Sequence, residues 1–226
     1  MKQRLVVLAN SRKSGGFCMA GKVLEENGRV AGWVRPVSSV VERGLPLSRI
    51  MCSDGLPAHI LDVVAQDWGP NMPILHQSEN RMMGPSTLSR CGRVSWSDLA
   101  TLADNSSSPL WLDGYSSSAG RNDRVPSGHL KQLPGSLKLL AIDHLVLSRN
   151  IGFEGKTKHR AEFCVDGRSY NLALTDTVAT TWLGQCQRLE LPGSYVCVSL
   201  AVPFNDGFAY KVAATIITMQ RAGSAT

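Results

Sequence analysis

Leu5-Val6-Val7-Leu8-Ala9-Asn10-Ser11-Arg12-Lys13-Ser14-Gly15-Gly16-Phe17-Cys18-Met19-Ala20-Gly21 sets the reading of this chain. Its first five residues form a continuous apolar run, the pattern of a buried strand. Asn10 to Gly16 reads as the turn or loop that follows, with Gly15 and Gly16 supplying backbone freedom. Phe17 to Leu24 reads as a second strand, and Glu25-Glu26-Asn27-Gly28 as the hairpin turn after it. Arg29 to Val37 makes a third strand, ended near Pro36. Three strands joined by short turns form a meander, so the chain is expected to be built on sheet.

The rest of the sequence extends that class. In 226 residues, 43% are hydrophobic, enough for a sizeable core, and 21 Gly with 11 Pro imply many turns. Val40 to Pro57 is irregular. Ile60 to Ala65 reads as a strand, broken by Trp68-Gly69-Pro70-Asn71 and Pro73, with a further strand near Ile74 to His76. Ser95 to Leu102 opens like a short helix, capped by Ser95 or Ser97. Trp111 to Val125 lacks apolar periodicity and reads as a long loop. Beyond it, Leu137 to Leu147 holds an apolar run in two short pieces. Arg160–Val165 and Ser169–Leu174 flank Asp166-Gly167, a hairpin signal. Thr175-Asp176 starts a helix over Val178 to Cys186, and Tyr195–Val202 and Tyr210–Met219 close the set of strands. The expected class is mainly β, with two five-stranded barrels. Residues 1–85 form the first, 86–136 a connecting helix and loop, 137–220 the second, and 221–226 a disordered tail.

Charge is unevenly spread. Residues 1–49 hold nine Lys/Arg against three acids, which is the whole net excess of +6. A localised positive field attracts phosphates. The six cysteines include no Cys-x-x-Cys pair and the five histidines have no metal-ligand spacing, so no metal or other cofactor is expected. Cys18, Cys164 and Cys197 lie in apolar runs and read as buried thiols. The apolar run near the N-terminus is too short for a signal peptide, and no stretch approaches a membrane span. A reducing cytoplasm is the expected compartment, with no membrane partner.

Three segments carry ligand chemistry. Asn10, Ser11, Arg12, Lys13, Gly15 and Gly16 combine charge with amide groups that can converge on an anion. They do not form a P-loop, since Gly-x-x-x-x-Gly-Lys-Ser/Thr is absent; a plain hairpin turn is the alternative for the glycines, with ligand contact favoured because Ser11, Arg12 and Lys13 accompany them. On a strand, Trp33 and Arg35 share one face and offer a ring beside a guanidinium, although Trp33 could be core with Arg35 covering it. Tyr115, Asn122, Asp123 and Arg124 mix a ring with groups that read base edges and hold phosphate. A solvated loop with Asx turns is the alternative. Glu79, Asp143 and Asp176 are isolated carboxylates. Asp176 is placed as a helix cap and Lys211 as a strand cation facing solvent. No complete catalytic constellation is present.

Asn10-Ser11-Arg12-Lys13-x-Gly15-Gly16-x-Cys18-x-Ala20-Gly21 with Trp33-Val34-Arg35-Pro36-Val37-Ser38 resembles the opening of the bacterial dual OB-containing domain family. The likeness continues through Trp111…Gly114-Tyr115-Ser116, Asn122-Asp123-Arg124-Val125 and Thr175-Asp176. It ends with Tyr195-Val196-Cys197-Val198-Ser199-Leu200…Pro203-Phe204 and Tyr210-Lys211. The resemblance implies two OB barrels and nucleic-acid binding, with bacterial defence against foreign genetic elements as a setting. It carries no catalytic residue over. The expected partner is single-stranded nucleic acid or a nucleotide-like ligand, with proteins of the same system as further partners. An enzyme acting on a nucleotide in a cleft, and a protein-interaction scaffold, are the alternatives.

Overall fold

The computed structural model describes residues 2–13, 15–38, 44–105, 109–151 and 155–224, apart from the side chains of Arg12 and Lys13. The chain divides into two compact units. One runs to Leu102 and takes in the last residues from Ala222, and the other spans Ala103–Arg221.

The first unit opens with the expected meander, β1 (Gln3–Lys13), β2 (Gly16–Leu24) and β3 (Val30–Val37). A short helix, α1 (Leu47–Ile50), precedes β4 (Asp62–Gln66). Next come β5 (Trp68–Asn71), β6 (Asn80–Met83) and β7 (Ser89–Arg93). The seven strands are ordered β5-β6-β3-β2-β1-β4-β7. β1 is an interior strand, paired with β2 on one side and β4 on the other, and Leu5 to Leu8 are all fully buried without alternation. β4 returns antiparallel to β1 and β6 lies parallel to β3, pairings consistent with an OB-like barrel. Two expectations fail here. Trp68–Asn71 is itself a strand, pairing with β6, because Pro70 sits on an edge where its missing N–H costs nothing. Ile74 to His76 forms only an isolated bridge, Ile74 to Gln77, and the strand comes later, at Asn80. Ser95 begins a helical turn as expected: Trp96–Asp98 is 3-10 and α2 (Leu99–Leu102) follows, with a Ser95–Asp98 capping box.

The second unit contains β8 (Arg124–Pro126), a 3-10 helix (Ser127–Gln132), β9 (Leu137–Ile151), β10 (Thr157–Val165) and β11 (Arg168–Leu174). Then come α3 (Thr177–Leu183), β12 (Arg188–Leu200), β13 (Phe208–Ile217) and α4 (Met219–Gly223). Strands β9 to β13 close on themselves in the order β9-β10-β11-β13-β12, with β11 parallel to β13 and β12 antiparallel to β9. A helix sits between the third and fourth strands. This is the five-stranded Greek-key barrel of the OB fold. The core is apolar, with Leu140, Leu147, Leu172, Val196, Val198 and Ile216 all fully buried. The expected break within Leu137–Leu147 is absent. β9 is one fifteen-residue strand, long enough to pair with β12 along one edge and β10 along the other. Cys164 is exposed rather than buried, since it falls on the outward side of β10 between Phe163 and Val165. Asp176 caps α3 as expected, accepting from the Val178 and Ala179 amides. Arg221 to Gly223, expected to be disordered, lie in α4, and residues 225 and 226 are outside the described residues. Among the described residues no helix is long and apolar enough to cross a membrane.

Candidate nucleic-acid interface

In the first unit the expected loop at Asn10–Gly16 is mostly strand. β1 continues to Lys13, with Arg12 opposite Phe17 and Lys13 opposite Gly16. Only a tight turn is left, and Gly15 supplies its positive φ of 80°. Gly16 has a different role: a Cβ there would lie 2.3 Å from the Leu45 oxygen. Phe17 and Leu45 exchange both backbone hydrogen bonds, at 2.8 and 2.7 Å, so Gly16 admits a neighbouring backbone. Asn10 donates from Nδ2 to the Ala58 oxygen at 2.9 Å, and its Oδ1 is buried without a donor among the described residues. Ser11 is buried. Arg12 and Lys13 carry side chains that fall outside the described set.

Trp33 is half-buried beneath the Lys22 ammonium, 5.3 Å from the ring centroid, because the two residues are register partners on β2 and β3. Arg35 is 5% exposed and turned inward. Its guanidinium lies 3.2 Å from Glu79 Oε1 and 3.4 Å from Asn80 Oδ1, where β3 and β6 run parallel. A guanidinium taken out of water needs such partners. Arg35 is therefore held by the protein and not presented to a phosphate.

In the second unit, Asn122 and Asp123 hold their own loop. Asn122 adopts φ 49°, accepts from the Gly114 amide at 2.9 Å and donates to the Ser169 oxygen at 3.0 Å. Asp123 is 2% exposed and accepts from the Ser117 amide and hydroxyl at 2.7 and 2.6 Å. It also meets the Arg160 guanidinium, at 3.4 Å. Gly120 is needed here, since a Cβ would stand 1.8 Å from Asp123 Oδ2. The segment fills a gap in the barrel wall. β11 and β13 pair only at Ala173–Val212 and Leu174–Ala213. Where they diverge, Arg121 bridges to Asn171 of β11, and Asp123 and β8 bond to β13. The loop thus supplies the backbone partners that two splayed strands lack.

Lys211 is a further correction: it is fully buried instead of facing solvent. Its ammonium donates to the Leu112 oxygen at 2.8 Å and Asp113 Oδ1 at 3.0 Å. Tyr170 donates to the other Asp113 oxygen at 2.7 Å. Burial pushes the lysine below its usual pKa, against the pull of Asp113.

Arg124 and Tyr115 stand differently. The Arg124 guanidinium lies over the Phe208 ring, 4.0 Å from its centroid, and Tyr115 leans on the same ring at 6.3 Å. Phe204 packs edge-on against Tyr210 at 5.4 Å, and is 60% exposed. These rings flank Asn205-Asp206-Gly207, the turn between β12 and β13. Tyr210 donates to Asp206 at 2.6 Å, which holds the carboxyl below its ordinary range. The turn thus presents aromatic faces, one guanidinium and one carboxylate together at the surface. Phe204 and Tyr210 stand among the residues that carry the family resemblance, but the sequence reading assigns no ligand role to them or to Asp206 and Phe208, although Phe-Asn-Asp-Gly-Phe-x-Tyr marks a tight turn with aromatic flanks.

A family model described as the dual OB-containing domain matches residues 3–216. The chain belongs to this family. No curated protein matches the dual OB chain. The crystal structure of the tetrameric p202 HIN2 covers 96% of it, and 92% of that chain, at 10% identity and a TM-score of 0.33, too low to carry an argument. What the family fixes for this dual OB protein is the pair of barrels. The aromatic turn joins the fourth and fifth strands of its second barrel, one of the loops by which OB folds take oligonucleotides.

Proposed function

We propose that this dual OB protein binds single-stranded nucleic acid at the β12–β13 turn of its second barrel. The observation that carries the reading is the Arg124–Phe208 stack beside the exposed Phe204 and Tyr115. Bases stack on such rings whatever their sequence, and a guanidinium on an aromatic face is well placed for the adjoining phosphate. Arg124 and Tyr115 then contact the strand. Asn122 and Asp123 position them, and Arg12 and Lys13 are candidates for a second contact in the first barrel. Six free thiols fit a reducing bacterial cytosol, where a role against foreign genetic elements is the proposed setting.

The test is fluorescence anisotropy with labelled single-stranded DNA, single-stranded RNA and duplex DNA. Binding of a single strand that weakens steeply between about 50 and 200 mM salt is expected. Phe204→Ala should cost about tenfold or more in affinity, as for loss of one stacked base. Failure of both single strands to bind at low salt rejects the proposal.

A further inference from the structure

We infer that Asp206 makes this surface select guanine among the bases that stack on it, an inference that rests on the strand-binding reading above. The turn is compact: Phe204 N–H donates to the Phe208 oxygen at 2.8 Å, and Gly207 N–H to the Phe204 oxygen at 3.0 Å. Phe204 and Asp206 therefore flank one turn. They are also tied through Tyr210, which touches the Phe204 ring and donates to Asp206 Oδ2. The other carboxylate oxygen accepts from the Phe208 amide at 3.2 Å. A carboxylate has about four lone-pair sites, so exposed Asp206 keeps acceptor capacity beyond these bonds.

An acceptor-only group beside a stacking ring distinguishes bases by their donor edges. Guanine presents two adjacent donors, N1–H and the 2-amino group, and can meet a carboxylate bidentately. Adenine and cytosine each set a single amino donor beside a ring-nitrogen acceptor, which the carboxylate repels. Thymine and uracil flank their one N–H with two carbonyls. The same charge repels phosphate, leaving the phosphate to Arg124. The tyrosine hydroxyl and the Phe208 amide fix the carboxylate in place before any base arrives, so little ordering is needed on binding.

The experiment compares thymine-rich single strands bearing one central guanine, hypoxanthine or adenine, titrated by anisotropy against the wild-type protein, Asp206→Asn and Phe204→Ala. Hypoxanthine lacks only the 2-amino group. The guanine strand is expected to bind about tenfold tighter than either other strand, the discrimination of one good bidentate contact. Asp206→Asn keeps an acceptor for Tyr210 and removes the charge that repels phosphate, so it should bind the adenine strand no more weakly than the wild type while losing most of the preference for guanine. Equal affinity of the wild-type protein for guanine and hypoxanthine strands overturns the inference. If Phe204→Ala still weakens all strands in that case, the strand-binding reading stands without it. Absence of binding to any strand overturns both. The wild-type comparison needs no variant to fold.

Discussion

The Lys211 ammonium lies 3.0 Å from the Asp113 carboxylate with none of its side chain in contact with solvent. A lysine inside a five-stranded barrel is tolerated because Asp113, the Leu112 oxygen and the Tyr170 ring surround it, the last at 5.3 Å. The pair fastens the segment entering the barrel at Leu110 to its fifth strand. Lys211→Met should lower unfolding free energy by about 1–3 kcal/mol, because Asp113, whose side chain is 16% exposed, loses its nearer cation and keeps Arg168 at 3.6 Å. Urea unfolding followed by circular dichroism checks this, and a neutral result would mean that Asp113 relaxes into water.

Gly120 and Gly128 make a matched pair. A Cβ at Gly120 collides with Asp123 and Arg160, whereas one at Gly128 meets nothing within 4 Å. Gly120→Ala is expected to cost about 1–3 kcal/mol by overpacking, and Gly128→Ala to leave stability nearly unchanged. Thermal unfolding of the two variants separates them. Since this loop carries Tyr115 and leads into Arg124 of β8, Gly120→Ala should also weaken strand binding.

Two histidines predict the pH response. Burial and the neighbouring Arg90 and Arg93 lower His59 below 6.5, and burial with Arg149 lowers His159. In each case the unfolded chain binds a proton more readily than the folded one. Their contribution is therefore complete above about pH 6.5 and is lost as pH falls through the depressed folded values. The melting temperature should drop as pH falls from neutral to mildly acidic. The double substitution His59→Gln with His159→Gln should flatten the His-linked part of that slope.

Arg35 and Arg124 should separate stability from binding. Arg35→Ala takes the guanidinium away from Glu79, whose side chain is 5% exposed, and is expected to cost about 3–5 kcal/mol. Arg124→Ala removes a cation from an aromatic face at the surface and should leave stability within about 1 kcal/mol. Its effect belongs in affinity and in a shallower salt dependence, each phosphate contact contributing about one unit to the slope. Calorimetry and anisotropy on the two variants test the division.

The sequence by itself determined the class of this protein. Continuous apolar runs, glycine-marked hairpins and the Asp176 cap are local signals, and the elements they mark form where expected: the opening meander, the hairpin at Asp166-Gly167, and α3. The family motifs extended this to two barrels. Tertiary structure alone decided which polar residues are spent on the fold. Arg35, Asn122 and Asp123 looked like ligand groups because their chemistry suits one, but each faces a partner distant in sequence. Arg35 meets Glu79 across a parallel strand pair, Asn122 meets Ser169, and Asp123 meets Arg160. Lys211 looked like a surface cation and is the most deeply buried charge in its barrel. A charged side chain reads the same in sequence whether a phosphate or a carboxylate will satisfy it. The difference is set by desolvation, which depends on what the fold brings alongside. The aromatic turn at Phe204–Tyr210 was hidden for the converse reason. Its rings resemble core residues until the hairpin brings them to the surface, where Phe204 is 60% exposed and Arg124 lies over Phe208.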